Sequence, residues 1–380
     1  MRSRREVLRL TACALGARLV SGRAGAAALQ PHFAGSAGAV HLLQRAGAAE
    51  AAADSDRLFA RALVVDALSV DEQWNEDLFA IVKRAGVTAI HTSLPNANLA
   101  AALRGLAAWQ ARFDTYPSRL VKVLRGRDVV EAKTSGRLGV LLGFQNATMI
   151  ESDLRNLATL HSLGARCIQL TYNSRNLLGD GCTERTNAGL SDFGVACVER
   201  MNELGIAVDL SHCGEQTSRD GIAVSLKPPA FTHTMCKAIH DHVRAKPDEL
   251  LRALADKGGV IGIATLGYFV SPRPDATIED YLNHVDHAVK VAGIDHVGIA
   301  SDYSLRGIEK TATRESWYVP RLSAFKPSYN VRWPPWIPEL DPPERFRNVA
   351  RGLARRGYTA EAIEKILGRN WLRYLNDVLG

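Results

Sequence analysis

Three residues of types that hold metal ions and move protons stand at the same kind of place in the sequence. His212 closes the run Val208–His212 (VDLSH), His233 closes Phe231–His233 (FTH), and Asp302 closes Ala300–Asp302 (ASD). Each lies at the end of a short apolar stretch of strand character. Neutral imidazole and carboxylate oxygen suit zinc and its neighbours, and a zinc with an open position makes water acidic. A lone strand-end histidine is more often a hydrogen-bonded core residue, but two on adjacent strands with a carboxylate two strands on point to a metal site. His91 also ends an apolar run and can face the same mouth. His161, His240, His242, His284 and His287 fall on expected helices or loops, His296 starts its strand at the far end, and His32 and His41 precede the folded region.

Residues so placed need a frame that gathers strand ends. Eight strands are expected, at Ala62–Leu68, Gly86–Thr92, Gly139–Gln145, Cys167–Tyr172, Ala207–His212, Pro229–His233, Gly259–Thr265 and His296–Asp302. Helical periodicity falls between them at Leu154–Ser162, Phe193–Leu204, Pro247–Lys257 and Ile278–Val291. Gly164, Gly205, Gly258 and Gly293 stand where helices need a left-handed cap. The alternation predicts a (β/α)8 TIM barrel, with an accessory strand at Leu120–Leu124 and C-terminal helices at Glu344–Arg356 and Thr359–Leu379. No G-x-G-x-x-G follows the first strand, which speaks against a dinucleotide-binding open sheet.

The 380 residues carry 47 Lys+Arg and 40 Asp+Glu, a formal charge of +7. Residues 1–28 hold six arginines and one acid, so five of those charges belong to a leader whose Ser3–Leu8 (SRREVL) has the form of a twin-arginine export signal. The leader predicts a periplasmic or secreted protein, and residues 29–57, rich in Ala and Gly, read as a spacer before a barrel over 58–380. The nearly neutral remainder needs no nucleic-acid partner, and no apolar run of 18 residues predicts an integral membrane segment. After the leader, Cys167, Cys182, Cys197, Cys213 and Cys236 remain, an odd set without CxxC that predicts small buried residues rather than a disulfide scaffold.

Ordered blocks through the barrel resemble the renal, or membrane, dipeptidase family of zinc metallopeptidases. They are Gly164–Asn173 (GARCIQLTYN), Gly189–Gly194 (GLSDFG), Met201–Gly205 (MNELG), Val208–His212 (VDLSH), Pro229–His233 (PAFTH), Arg244, Gly258–Val260 (GGV), His296–Asp302 (HVGIASD) and Gly368–Arg373 (GRNWLR). The resemblance implies a metal-bearing barrel that hydrolyses dipeptides, often with a D-residue on the C-terminal side. It implies that His212 and His233 hold one zinc, that Asp302 lies near the attacking water, and that Arg244 anchors the substrate carboxylate, which a guanidinium can grip through two parallel hydrogen bonds.

The sequence departs from the family where the second metal belongs. Asp66–Val70 (DALSV) puts Leu68 and Val70 at two ligand positions, Gln145 replaces the bridging glutamate, and Tyr172 replaces a substrate-polarising histidine. Three sites stay open. One is a single Zn2+ on His212 and His233, completed by Asp302 or Gln145, with Tyr172 donating to the oxyanion. The second recruits new ligands from Asp66, Asp71, Glu72, Asp180, Cys182 and Glu184. The third has no metal, leaving a polar pocket for a small carboxylate or for isomerisation or cyclisation of an amino-acid-derived metabolite. The aromatic stretch with Trp317, Tyr318, Phe325, Tyr329, Trp333 and Trp336 is placed to lid the pocket, to form a homodimer contact, or to be a plain surface loop. The leading expectation is an exported metal-dependent hydrolase of a dipeptide-like substrate.

Overall fold

A computed structural model describes residues 54–380, so the leader and most of the spacer lie outside the described residues. After a helix over residues 54–61, nine strands follow: β1 Val65–Asp66, β2 Ala89–Ser93, β3 Leu120–Lys122, β4 Leu138–Phe144, β5 Ala165–Gln169, β6 Ala207–Asp209, β7 Ala230–Thr234, β8 Val260–Ile263 and β9 Val297–Ile299. All pair in parallel in the order β1-β2-β4-β5-β6-β7-β8-β9, with β3 beside β4 as an accessory strand. The Ala67 amide donates to the Ile299 carbonyl at 3.3 Å, and the Asp302 amide to the Leu68 carbonyl at 3.0 Å, joining the last strand to the first. This is the (β/α)8 barrel that the alternation predicts.

Helices return the chain between strands, among them Arg155–Ser162, Asp192–Leu204, Asp248–Asp256 and Ile278–Ala292. Asp192–Leu204 shows the local logic. The Ser191 side chain accepts from the Gly194 amide at its start, and Gly205 ends it at φ +70, where a side chain would be strained. The C-terminal helix Asn370–Leu379 closes the base of the barrel, with Trp371, Tyr374 and Leu375 packed against Val65, Ala67, Ala89 and Val260. Gly298 leaves room for it: a Cβ there would stand 2.3 Å from Trp371 Nε1.

The ladders stop short of the expected strand ends. β5 ends at Gln169, β6 at Asp209 and β9 at Ile299, each three residues before Tyr172, His212 or Asp302. Carboxylates take over where the ladders end. Asp209 Oδ1 accepts from the Ser211 and Thr232 amides at 3.0 and 3.1 Å, and Asp66 Oδ1 accepts from the Leu68 and Ser301 amides at 3.2 and 2.7 Å. The mouth residues therefore sit on a rim braced by side chains.

Candidate active site

His212 and His233 meet at this mouth, Nε2 to Nε2, at 2.9 Å. Their other nitrogens are fixed by neighbours. His212 Nδ1 faces Asn173 Oδ1 at 2.7 Å, and an amide oxygen can only accept, so Nδ1 carries the proton. His233 Nδ1 lies 2.8 Å from Thr232 Oγ1, whose own hydrogen goes to Asp209 Oδ2 at 2.7 Å. That hydroxyl is left to accept, which puts the His233 proton on Nδ1 as well. Both Nε2 atoms are then bare lone pairs. Burial, reinforced by the Arg244 charge, holds both imidazoles well below their ordinary pKa, so neither carries a second proton near neutrality.

Asp302 completes the cluster, with Oδ1 3.9 Å from His233 Nε2. Its backbone is left-handed, φ +65, a conformation Asp and Asn tolerate better than other side chains. Burial raises its carboxyl to about 7, against the pull of Arg244 and Arg321. Tyr172 lies flat on His212, ring centroids 4.1 Å apart and planes 22° apart, and burial pushes its hydroxyl up to about 12. It is a proton donor at any ordinary pH.

Arg244 is fully buried. Its Nη1 donates to the Ser211 carbonyl and its Nη2 to the His233 carbonyl at 2.9 Å, which pins the two histidine-bearing strand ends together. Lys246, also buried, donates to the Cys213 carbonyl at 2.6 Å and the Ser218 hydroxyl at 2.9 Å, and burial lowers it to about 8.

Beside Tyr172 opens a cleft of about 590 Å³ lined by Val70, Thr92, Asn96, Arg112, Gln145 and Asn146, among others. Two positions that hold metal in the family pattern, Val70 and Gln145, are now cleft walls, while Leu68 is buried. Around a tetrahedral zinc with bonds of about 2.0–2.1 Å, ligand atoms stand about 3.3 Å apart. The two separations, 2.9 and 3.9 Å, straddle that value. His212, His233 and Asp302 thus bring donors of the types that zinc takes into one cluster. Among the described residues, no three His, Cys, Asp or Glu side chains already stand in ligand positions.

The alternative ligands are occupied elsewhere. Asp66 accepts from Ser301 Oγ at 2.6 Å, and Asp71 binds the Ser69 and Ser304 hydroxyls and the Leu305 amide. Asp180 is paired with Arg175 at 2.5 Å, and Glu184 accepts from the Arg175 and Arg185 amides. Cys182 faces Asn173 Oδ1 at 3.4 Å, and Glu72 remains on the rim of the cleft. His91 does not reach the mouth: it is buried inside the barrel, its Nδ1 on the Ala67 carbonyl at 2.9 Å. Asn173 and Thr232, which set the histidine tautomers, are readable only as parts of the family-like blocks. Nothing in their residue types alone marks them.

Fold and mouth together define a hydrolase-type barrel with its polar residues on the strand-end rim. The membrane dipeptidase family (peptidase family M19) matches residues 62–321, and the chain belongs to it. It is 29% identical over 272 residues to the dipeptidase tcpJ of Claviceps purpurea and 30% over 270 residues to the dipeptidase verJ of Clonostachys rogersoniana. These matches cover 71% and 70% of this chain but 58% and 62% of those relatives. Among solved structures, an amidohydrolase from Pseudomonas aeruginosa superposes with a TM-score of 0.77 at 29% identity, covering 86% of this chain and 99% of that one. A Rhodobacter sphaeroides metallopeptidase liganded with a phosphinate mimic of the dipeptide L-Ala-D-Ala shares the fold, with a TM-score of 0.69 at 18% identity, covering 83% of this chain and 99% of that one. Among the described residues, no helix is long and apolar enough to cross a membrane.

Proposed function

We propose that the protein is an exported metal-dependent hydrolase of dipeptide-like amides that works from a single metal instead of a pair. The observation that carries this is the convergence of two deprotonated Nε2 atoms on one point, each held by a hydrogen bond behind it. His212 and His233 would hold the ion, Asp302 would complete its shell, and Gln145 would offer an amide oxygen or leave that place to water. A zinc ion there supplies Lewis acidity and makes water a nucleophile near neutral pH.

The chain's own residues do the rest. Asp302 would orient the attacking water and take its proton on the oxygen left free of the ion. Tyr172 hydrogen-bonds the oxygen on which negative charge develops, the part a histidine plays in the family pattern. Arg244 is a fixed positive charge behind the histidines that draws the substrate carboxylate inward. The test is metal analysis of the purified protein together with turnover of a dipeptide panel. About one equivalent per chain is expected, with metal and turnover both lost in the double variant His212→Ala/His233→Ala. Metal-free protein that cleaves the panel overturns the reading.

The two buried cations, Arg244 and Lys246, favour a second reading in which the mouth binds a small carboxylate without cleaving it. Ligand binding by metal-free, inactive protein distinguishes it. Export rests on residues 1–28, and is checked by whether they carry a fused folded reporter out of a bacterial cytoplasm.

A further inference from the structure

Resting on the peptidase reading, we propose that the cleft beside Tyr172 receives the amine-side half of the substrate and that Arg112 selects an acidic side chain there. Along the rim, Gln145 follows β4, Tyr172 follows β5, His212 follows β6 and His233 ends the apolar part of β7, with Arg244 bonded to the Ser211 and His233 carbonyls. The cleft, walled by Val70, Thr92 and Gln145, therefore lies on the other side of the Tyr172–His212 stack from Arg244. A substrate whose carboxyl end is drawn toward Arg244 sends its other end into the cleft.

One face of the helix Leu99–Thr115 forms the outer wall. Gly105, Ala108, Trp109 and Arg112 line the cleft at helical spacing. Gly105 lets the helix approach the loop after β2, since a Cβ there would stand 3.0 Å from Pro95 Cδ. Trp109 is buried and packs edge-on against Trp74, ring centroids 5.1 Å apart. Trp74 Nε1 in turn donates to the Asp71 carbonyl at 3.1 Å, which ties this wall to the rim segment of Val70 and Glu72.

Arg112 supplies the positive charge of that wall. Helical side chains lean toward the start of their helix, and its guanidinium carbon lies back over Trp109, 4.9 Å from the ring centre. The side chain is half-buried and makes no protein hydrogen bond, and among the described residues no carboxylate stands within ion-pair distance of it. Burial lowers its pKa with no neighbouring anion to oppose the shift. Of the two acids in the cleft, Asp71 is taken up by the Ser69 and Ser304 hydroxyls and the Leu305 amide, and Glu72 is exposed on the rim. A guanidinium braced on an indole has little freedom left to lose and can offer a carboxylate two parallel hydrogen bonds. The volume of about 590 Å³ admits a side chain the size of glutamate. The ligand class is a dipeptide-like amide with an acidic residue on the amine side of the scissile bond.

The experiment measures kcat/KM of the full chain on glutamylalanine and glutaminylalanine, which differ in side-chain charge. Alanylglutamate and alanylglutamine move that charge to the carboxyl side. Arg112→Met and Arg112→Lys are treated alike, with thermal midpoints recorded as a control of folding, and any pair that is not cleaved is titrated calorimetrically instead. The wild type should prefer glutamylalanine to glutaminylalanine about tenfold or more; Arg112→Met should lose that preference and Arg112→Lys recover part of it. The alanyl pair should show no preference that depends on Arg112. A wild type that binds neither glutamyl nor glutaminyl peptide or treats both alike, a preference that survives in Arg112→Met, or an equal Arg112-dependent preference in the alanyl pair overturns the subsite, and leaves the peptidase reading standing where the peptides are cleaved. An Arg112-dependent preference in binding without hydrolysis leaves the subsite standing and overturns the peptidase reading instead.

Discussion

His212 and His233 present the same ring nitrogen to each other across 2.9 Å, and the hydrogen bonds behind them leave both nitrogens without a proton. Two lone pairs at that distance repel, and a metal ion beside them or a proton shared between them relieves the repulsion. Removing the bond that sets one tautomer should weaken metal uptake. Asn173→Ala is expected to lower metal affinity about 10–100-fold with the fold retained. Competition against a chelator of known affinity measures it, and unchanged affinity would show that Asn173 does not orient the ligand.

Tyr172 contributes a hydroxyl and a flat face, and the two can be separated. Tyr172→Phe keeps the stacking on His212 and loses the donor. Its kcat/KM should fall about 10²-fold, mostly in kcat, with little change in metal content. A fall confined to KM would place the tyrosine in binding alone.

Asp302 is held in left-handed backbone, which makes its two obvious replacements unequal. Asn tolerates φ +65 and Ala does not, so Asp302→Ala should be less stable than Asp302→Asn by about 1 kcal/mol. Both should lose turnover. Denaturant unfolding of the pair reads the first difference, and equal stability would mean the rim relaxes around the residue.

Asp180 ties the loop after β5 together through Arg175, the Thr186 hydroxyl at 2.8 Å and the Ala188 amide at 2.7 Å. Led by the Arg175 hydrogen bond, these hold its carboxyl at about 2, below the 3.8 of an ordinary aspartate. The stabilisation is complete above pH 3.8 and is lost as pH falls through about 2. Asp180→Asn should cost about 2 kcal/mol at pH 7 and progressively less in acid. Unfolding curves at pH 7 and pH 3 measure it, and a pH-independent difference would mean the charge is not what matters.

At the base of the barrel, Gly298→Val should destabilise by about 1–3 kcal/mol, because the added carbons meet Trp371 in a filled core. A double variant with Trp371→Ala should recover part of the loss.

The barrel was legible because its strands are apolar runs and its helices end on glycines such as Gly205, both of which follow from local sterics. The strand-end residues His212, His233 and Asp302 were legible as a set for the same reason: a parallel barrel gathers one end of every strand. His91 shows the limit. It too ends an apolar run, yet the ladder continues past it to Ser93, so the side chain lies inside the barrel below the rim, and the sequence does not fix where a ladder stops. The burial of Arg244 was not legible either, since both of its partners are main-chain carbonyls and carry no side-chain signal. The segment 314–324 reads as loop because its helix is short and none of its residues is fully buried.

The bond from the Asp302 amide to the Leu68 carbonyl has a consequence for dynamics. It belongs at once to the closure of the barrel and to the residue proposed to handle the proton, so the sheet cannot part there without dispersing the site. Exchange of that single amide with deuterium would therefore track occupancy of the mouth: slow when a ligand bridges the rim, faster when the mouth is empty.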